Sequence, residues 1–511
     1  MHRLPLLAGM LLATTCTPAL AAPCDGVAAL ALPPDVRIVK ATPIDPASAF
    51  APPGVKDAKP LATSFCRIEG VIEKEIGFEL WLPEKAAWTG RFLTGGVGGQ
   101  AGNFNYRELT RGVVRGFASA STDTGHKASD RHWLLGDPQR AANYAERSNH
   151  LLAQRAKAIV TAFYGKPIAT SLFVGCSGGG RQALTEAQRF PEDYDGIMAG
   201  APGPKTPEMS ARRMWEMGQH SASAAIMSDA IWTRIAKGAV AACDGKDGVA
   251  DGVIDHPTAC SFKVADLSCR KVSGEACLTD AQVAVGTRIY APLHDENGRR
   301  IDDGLLPGVR VSPQLLPEPF TPGPPYLAVA LFGDGVHRDP DWNPATFRIA
   351  DDLPAIDRVM NLHADNPDIR PFVQRGGKLL IYQGWADPLV AAQPTIAYHE
   401  AVQAKLGKVA KDSVRLFMVP GMEHCVGGDT TDRFGGAGGD GVSTDPDHDM
   451  LSALTTWVEG APAPERFEAA RLQDGRVTRT RPLCAWPRVA HYNGTGDTDA
   501  AARFTCEVPS K

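Results

Sequence analysis

Three side chains, Ser177, Asp387 and His424, stand where a nucleophile, its base and the group that orients the base could stand. Ser177 is the centre of Gly175-Cys176-Ser177-Gly178-Gly179, with the apolar run Leu172, Phe173, Val174 before it and an amphipathic helical pattern directly after. That reads as strand, sharp turn and helix. Small neighbours let such a turn hold its serine in a strained backbone conformation, and the hydroxyl then projects above the sheet. Asp387 lies in the loop that ends the strand-like run Leu379 to Tyr382, and His424 lies in Pro420 to Cys425, after the run Val414 to Val419. A serine that attacks a carbonyl needs an imidazole to take its proton and a carboxylate to fix the imidazole tautomer. Together the three types point to acyl transfer through a covalent intermediate.

The negative charge that develops on the attacked oxygen needs backbone N–H donors. The residue after the nucleophile, Gly178, supplies the first. The glycine-rich stretch Thr94 to Gly102 follows the strand-like Arg91-Phe92-Leu93, well upstream of the serine, which is where the second donor belongs; Gly96 and Gly98 are the candidates. A phosphate cradle is the rival use for such a loop, but no Lys-Ser/Thr follows it.

These residues need a scaffold that brings strand ends together. Leu152, Ala156, Ile159 and Phe163 recur on one face of a helix predicted over 140–163, the nucleophile strand follows, and Gly196 to Ala199 reads as a further buried strand. Strands alternating with helices imply a parallel sheet. The order Ser177, Asp387, His424, each after a strand, is that of an α/β-hydrolase fold. From 204 to 370 the alternation is lost, four of the ten cysteines remaining after Cys16 fall there, and Pro313 to Tyr326 is proline-rich. This predicts a catalytic domain of residues 22–203 and 371–511 with a large inserted lid domain at 204–370. Within the lid, Trp342 and Phe347 are candidates for lining a substrate cleft or for packing inside the lid itself.

Composition fits an ordinary globular protein: 511 residues, 43% hydrophobic, 22% charged and a formal net charge of -5, with no basic footprint for nucleic acid. Residues 1–21 have the form of a secretory signal, with Arg3, an apolar run and Ala19-Leu20-Ala21 at the cleavage site. The run is too short to span a bilayer, no other stretch approaches that length, and Ala13-Thr14-Thr15 makes a poor lipid-attachment signal before Cys16. The mature protein is therefore expected to be secreted or periplasmic, without a membrane or nucleic-acid partner. Of eleven cysteines, ten remain after cleavage, an even number suited to an oxidising compartment; Cys243/Cys260 and Cys269/Cys277 look like local loops, and the pairing is otherwise open.

Cys243 to Asp255 places Asp244, Asp247, Asp251 and Asp255 in a short glycine-interrupted run. Carboxylates this close repel unless a hard cation offsets them, so Asp244, Asp247 and Asp251 with the carbonyls of Val249 and Val253 form a candidate structural Ca2+ cage. It is not an EF-hand, since the glycines are misplaced and the twelfth position is aspartate. The alternative is a solvated acidic turn.

With these residues in view, the chain resembles the tannase and feruloyl esterase family, which includes mono(2-hydroxyethyl) terephthalate hydrolase. The most specific sign is a cysteine beside the serine and another beside the histidine, Cys176-Ser177 and His424-Cys425. The resemblance implies a Cys176–Cys425 disulfide holding nucleophile and base together, and four more: Cys24–Cys66, Cys243–Cys260, Cys269–Cys277 and Cys484–Cys506. It also implies a lid calcium site of the form D-x-x-D-G-x-x-D-G, matched by Asp244, Asp247 and Asp251. The expected activity is a serine esterase acting on a small aromatic ester or an ester-decorated plant polymer. Feruloyl esters rank first, gallate esters second and terephthalate monoesters third. From another class, the rival is an inactive calcium-dependent binding protein on a hydrolase scaffold.

Overall fold

The computed structural model describes residues 24–55, 58–221, 227–272, 277–311 and 327–509. The signal segment 1–21 and the proline-rich stretch 313–326 lie outside the described residues. Along the chain the strands of the main sheet are β1 (Val36–Ile44), β2 (Phe65–Ile72), β3 (Ile76–Pro83), β4 (Arg91–Gly95), β5 (Ala118–Thr122), β6 (Thr170–Cys176), β7 (Gly196–Gly200), β8 (Lys378–Gly384) and β9 (Val414–Val419). They lie side by side in the order β1-β2-β3-β5-β4-β6-β7-β8-β9. The six from β5 to β9 are parallel, whereas β1, β2 and β3 add an antiparallel flank. This is the α/β-hydrolase fold.

The central strands read as unbroken apolar runs because both faces of the sheet are covered. Alternate residues of β6 separate accordingly. Phe173 faces Leu152, Ile159 and Leu184 on one side, in the cluster that also holds Ile381 and Val402. Leu172 and Val174 face the other, with Met198, Leu454, Trp457 and Phe467. The helix predicted over 140–163 runs from Pro138 to Tyr164, but Asn143–Arg147 is a π turn. Carbonyls in that wider turn are taken by a side chain from elsewhere: the Arg181 guanidinium donates to Ala145 O (2.7 Å) and Tyr144 O (3.1 Å).

Between Gly200 and Lys378 the described chain adds helices Thr206–Ser221, Asp229–Cys243, Asp280–Tyr290 and Ile349–Val359, and no strand of the main sheet. Trp232, Ile235, Val285 and Ile289 form a core of its own. A second cluster joins Met214, Phe332 and Ile356 of this segment to Trp133, in the turns before Pro138, and Tyr144 of the helical stretch before β6. Trp342 stacks on His337 and Phe347 packs on Phe332, so both aromatics belong to this packing and neither lines the cavity at Ser177. After β9 the helix Met450–Val458 and the hairpin β10 (Arg466–Gln473) and β11 (Arg476–Cys484) close one face of the sheet; β12 (Val489–Tyr492) and β13 (Phe504–Glu507) end the fold.

Candidate active site

At the end of β6 the backbone of Ser177 adopts φ 62° and ψ -126°, and a helix, Gly178–Arg189, begins at the next residue. That conformation strains any residue with a side chain, and it persists only where the surroundings fix it. Here they do. The Ser177 N–H donates to Gly200 O at 2.9 Å, and its carbonyl accepts from Arg181 N at 2.9 Å. A Cβ on Gly175 would fall 2.4 Å from Gly179 O, and one on Gly179 would fall 2.9 Å from the Gly96 carbonyl carbon. The glycines flanking the serine are thus demanded by close backbone approach.

Asp387 lies three residues beyond β8 with its side chain fully buried. Its Oδ1 accepts the N–H groups of Leu389 (2.8 Å) and Val390 (2.9 Å), and its Oδ2 accepts the Gln383 amide at 3.2 Å. Gln383 is itself held, by Thr395 at its carbonyl and by the Val390 carbonyl at its amide. The carboxylate faces His424, whose Nδ1 lies 2.9 Å from Oδ2 and 3.1 Å from Oδ1. An Nδ1–H donated to this carboxylate leaves Nε2 as the basic nitrogen. Cys176 and Cys425 are disulfide-bonded, so the residues adjoining Ser177 and His424 are covalently joined. The Ser177 hydroxyl and the His424 ring make no direct hydrogen bond among the described residues, and in resting hydrolases this contact commonly shortens only with substrate.

The glycine-rich loop packs on the serine turn: a Cβ on Gly98 would sit 3.7 Å from Ser177 Cβ, and one on Gly178 would sit 3.2 Å from Gly99 N. The two glycines singled out from sequence part company here. Gly96 N–H is committed to Val174 O at 2.9 Å and Val97 N–H to Gln182 Oε1 at 3.0 Å. Gly96 is therefore set aside as an oxyanion donor, because it extends the sheet ladder. Gly98 N–H has no acceptor among the described residues. It remains available together with Gly178.

A cavity opens at Ser177 and Gly178, walled by Tyr144, Pro202, Met209, Leu327 and Val390. Sequence reasoning missed Tyr144 and Arg181. Tyr144 donates its hydroxyl to Gly99 O at 2.8 Å, while the Arg181 guanidinium stacks over the Tyr144 ring at 5.3 Å. Burial pushes the Tyr144 phenol up and the Arg181 guanidinium down. An arginine in the first turn after the serine was visible as a residue, but its partners come from a turn whose geometry has no periodic signature.

All five disulfides are present, with the pairing Cys24–Cys66, Cys176–Cys425, Cys243–Cys260, Cys269–Cys277 and Cys484–Cys506. Beside the third lies the acidic loop. Asp244 accepts the backbone N–H groups of Asp251 (3.1 Å), Gly252 (2.8 Å) and Val253 (3.3 Å). Val249 and Val253 are buried, and the Asp247 side chain lies outside the described residues. Among the described residues no three His, Cys, Asp or Glu side chains cluster as metal ligands. The side chain of Asp251 is buried. The Arg481 guanidinium is ion-paired with it and lies 3.5 Å from Asp255, so the C-terminal half of the loop is turned inward while Gly245, Lys246, Gly248 and Ala250 are exposed. Carboxylate and carbonyl oxygens are the ligand type a hard cation takes, and Asp244, Asp251 and the carbonyls of this loop are of that type, with Arg481 already supplying a counter-charge to Asp251.

Residues 62–319 and 330–507 match the family model described as tannase and feruloyl esterase. The chain belongs to this family. It is 35% identical to an uncharacterized esterase of Xanthomonas campestris pv. campestris, over 96% of this chain and 92% of that protein. It is 31% identical to a probable feruloyl esterase B-1 of Aspergillus terreus, over 85% of each. The structure of feruloyl esterase B from Aspergillus oryzae superposes with a TM-score of 0.86 at 25% identity, covering 95% of this chain and 99% of that one. As a member of the tannase and feruloyl esterase family, the protein is a carboxylic ester hydrolase.

Proposed function

We propose that this esterase hydrolyses esters of aromatic carboxylic acids, hydroxycinnamoyl esters such as ferulates first, through a Ser177-His424-Asp387 triad and an acyl-enzyme. The observation that carries the reading is the Asp387–His424 pair at 2.9 Å, tethered through Cys425–Cys176 to a serine in the strained turn. In this mechanism His424 Nε2 takes the Ser177 proton as Oγ attacks the ester carbonyl, and the imidazolium that forms is stabilised by Asp387. The N–H groups of Gly178 and Gly98 bind the tetrahedral oxyanion, each contributing on the order of 3 kcal/mol. His424 then protonates the leaving alcohol, and water attacks the acyl-enzyme by the same route in reverse. The apolar walls beside Ser177 suit a planar aromatic acyl group, and the segment between β7 and β8 covers it as a lid.

Asp244, Asp247 and Asp251, with the carbonyls of Val249 and Val253, would hold calcium. Its charge would offset the clustered carboxylates, a structural service rather than a catalytic one. Five disulfides accord with a mature protein that leaves the cytoplasm through the 1–21 signal to the periplasm or the exterior.

Turnover of ethyl ferulate, propyl gallate and a terephthalate monoester by the purified protein tests the substrate class. Ferulate turnover that disappears in Ser177→Ala, with circular dichroism unchanged, supports the proposal. Undiminished turnover in that variant contradicts the triad. Preference for gallate or terephthalate would reassign the acyl group, and no labelling of Ser177 by an organophosphonate would favour the inactive binding protein.

A further inference from the structure

The glycine-rich loop is gripped by two side chains that the triad does not use. The Asn105 amide donates Nδ2–H to Gly96 O at 2.6 Å, and Gln182 Oε1 accepts Val97 N–H at 3.0 Å. Gly96 O and Val97 N belong to one peptide unit, which is planar and stiff. A single plane is thus clamped from both edges. Asn105 caps the helix Tyr106–Val114, where its Oδ1 accepts Glu108 N–H at 3.1 Å, and Gln182 lies in the helix Gly178–Arg189 that follows Ser177.

Gln182 is 3% exposed and does not line the cavity at Ser177. Its Nε2 has no acceptor among the described residues, a cost that an apolar side chain of similar length would avoid. What glutamine adds at this position is the bond to the loop. A Cβ on Gly96 would fall 2.8 Å from the Phe173 ring and 3.0 Å from Gln182 Oε1, so this close seat needs glycine there. The next peptide unit, Val97–Gly98, carries the N–H available beside Gly178, and among the described residues it makes no hydrogen bond. Its direction is set by its neighbours: the clamped unit before it, and after it the Gly98 carbonyl, which accepts Ala101 N–H at 3.1 Å.

We infer that Gln182, seconded by Asn105, is a positioning residue for the second oxyanion donor: it ties the loop to the helix that carries Gly178, so that Gly98 N–H and Gly178 N–H hold one fixed spacing. The inference rests on the esterase reading of Ser177 and adds to it a group that acts on the oxyanion only through the loop. A donor aimed in advance at developing charge costs no reorganisation during the reaction.

The test is steady-state hydrolysis of p-nitrophenyl acetate by the full-length mature protein in calcium-containing buffer, together with inhibition by a phenyl-bearing trifluoromethyl ketone, whose hemiketal with Ser177 places an oxyanion at the same two donors. Gln182→Met keeps the side-chain length and removes the acceptor; kcat is expected to fall about thirtyfold, less than the roughly 10²–10³ lost with a whole donor. KM should stay within about twofold, and ketone affinity should fall in step with kcat, the pattern of an interaction made only in the transition state. Gln182→Glu, which keeps an oxygen for the Val97 N–H, should retain most of the rate. Asn105→Asp keeps the helix cap and removes only the Nδ2–H donor, so it gives the same signature if Gln182→Met fails to fold, as circular dichroism and melting temperature report. Unchanged kcat and ketone affinity in both Gln182→Met and Asn105→Asp, with Ser177→Ala inactive, would overturn the positioning role and leave the triad standing. A loss carried equally by KM would assign the two side chains to packing and overturn it as well. Activity retained in Ser177→Ala would overturn the esterase reading itself and this role with it.

Discussion

Cys176 and Cys425 lie 249 residues apart in the chain and are bonded through sulfur, which ties the turn bearing Ser177 to the loop bearing His424. In the chain-entropy picture a loop of this length is worth about 5–6 kcal/mol against the unfolded state. Cys176→Ala combined with Cys425→Ala is therefore expected to lower the melting temperature by several degrees. It should also depress kcat further than KM, because the two loops lose their fixed separation. Differential scanning calorimetry and ferulate kinetics read the two effects separately; a variant with normal kcat would show that packing alone holds the pair.

Tyr144, in the wall of the cavity at Ser177, braces the glycine-rich loop through the hydrogen bond its hydroxyl donates to Gly99 O at 2.8 Å. Tyr144→Phe keeps the ring under Arg181 and removes only that bond. A single bond of this kind is worth about 1 kcal/mol. The expected result is a kcat reduced about fivefold with KM and melting temperature little changed, measured by steady-state kinetics across the three ester classes.

Acid should destabilise the fold through two buried histidines. Burial holds both His126 and His399 down to about 4, from an ordinary value near 6.5. Between those limits the unfolded chain binds protons that the native state refuses, so stability is full above about pH 6.5 and is lost as the pH falls toward 4. Each group contributes a slope of up to about 1.4 kcal/mol per pH unit in that window. His126 donates Nε2–H to Gln100 O at 2.8 Å and stacks on Trp133, so His126→Gln keeps a donor while removing the titration. Urea unfolding from pH 7 to 4 should show a shallower pH dependence in this variant. An unchanged slope would place the acid sensitivity elsewhere.

Chelation should separate stability from chemistry. With EDTA the melting temperature is expected to fall and to recover on adding calcium, while the initial rate at 25 °C changes little. Asp251→Asn should abolish the calcium response. A melting curve indifferent to both treatments would leave Arg481 as the sole counter-charge for Asp251.

The placement of Ser177, Asp387 and His424 just beyond β6, β8 and β9 was legible because those strands announce themselves as apolar runs. The Cys176–Cys425 pair was legible only through the family resemblance, which the cysteines beside Ser177 and His424 carried. Choosing between Gly96 and Gly98 was beyond the sequence, since it turns on which N–H the sheet register uses: Gly96 continues the ladder onto Val174 O. Arg181 and Tyr144 escaped because their contact depends on a π turn inside an otherwise regular helical pattern. Trp342 and Phe347 went to local packing, as aromatics with nearby ring partners do. The pairing of Arg481 with Asp251 joins distant stretches and left no trace in spacing.

That last contact also sets an order of events. Arg481 lies on β11, and the Cys484–Cys506 bond fastens that strand to β13, so the acidic loop meets its counter-charge only after nearly the whole polypeptide has been made. A nascent chain released early, or trimmed at its carboxyl end beyond Arg481, would leave the acidic loop without the guanidinium that answers Asp251.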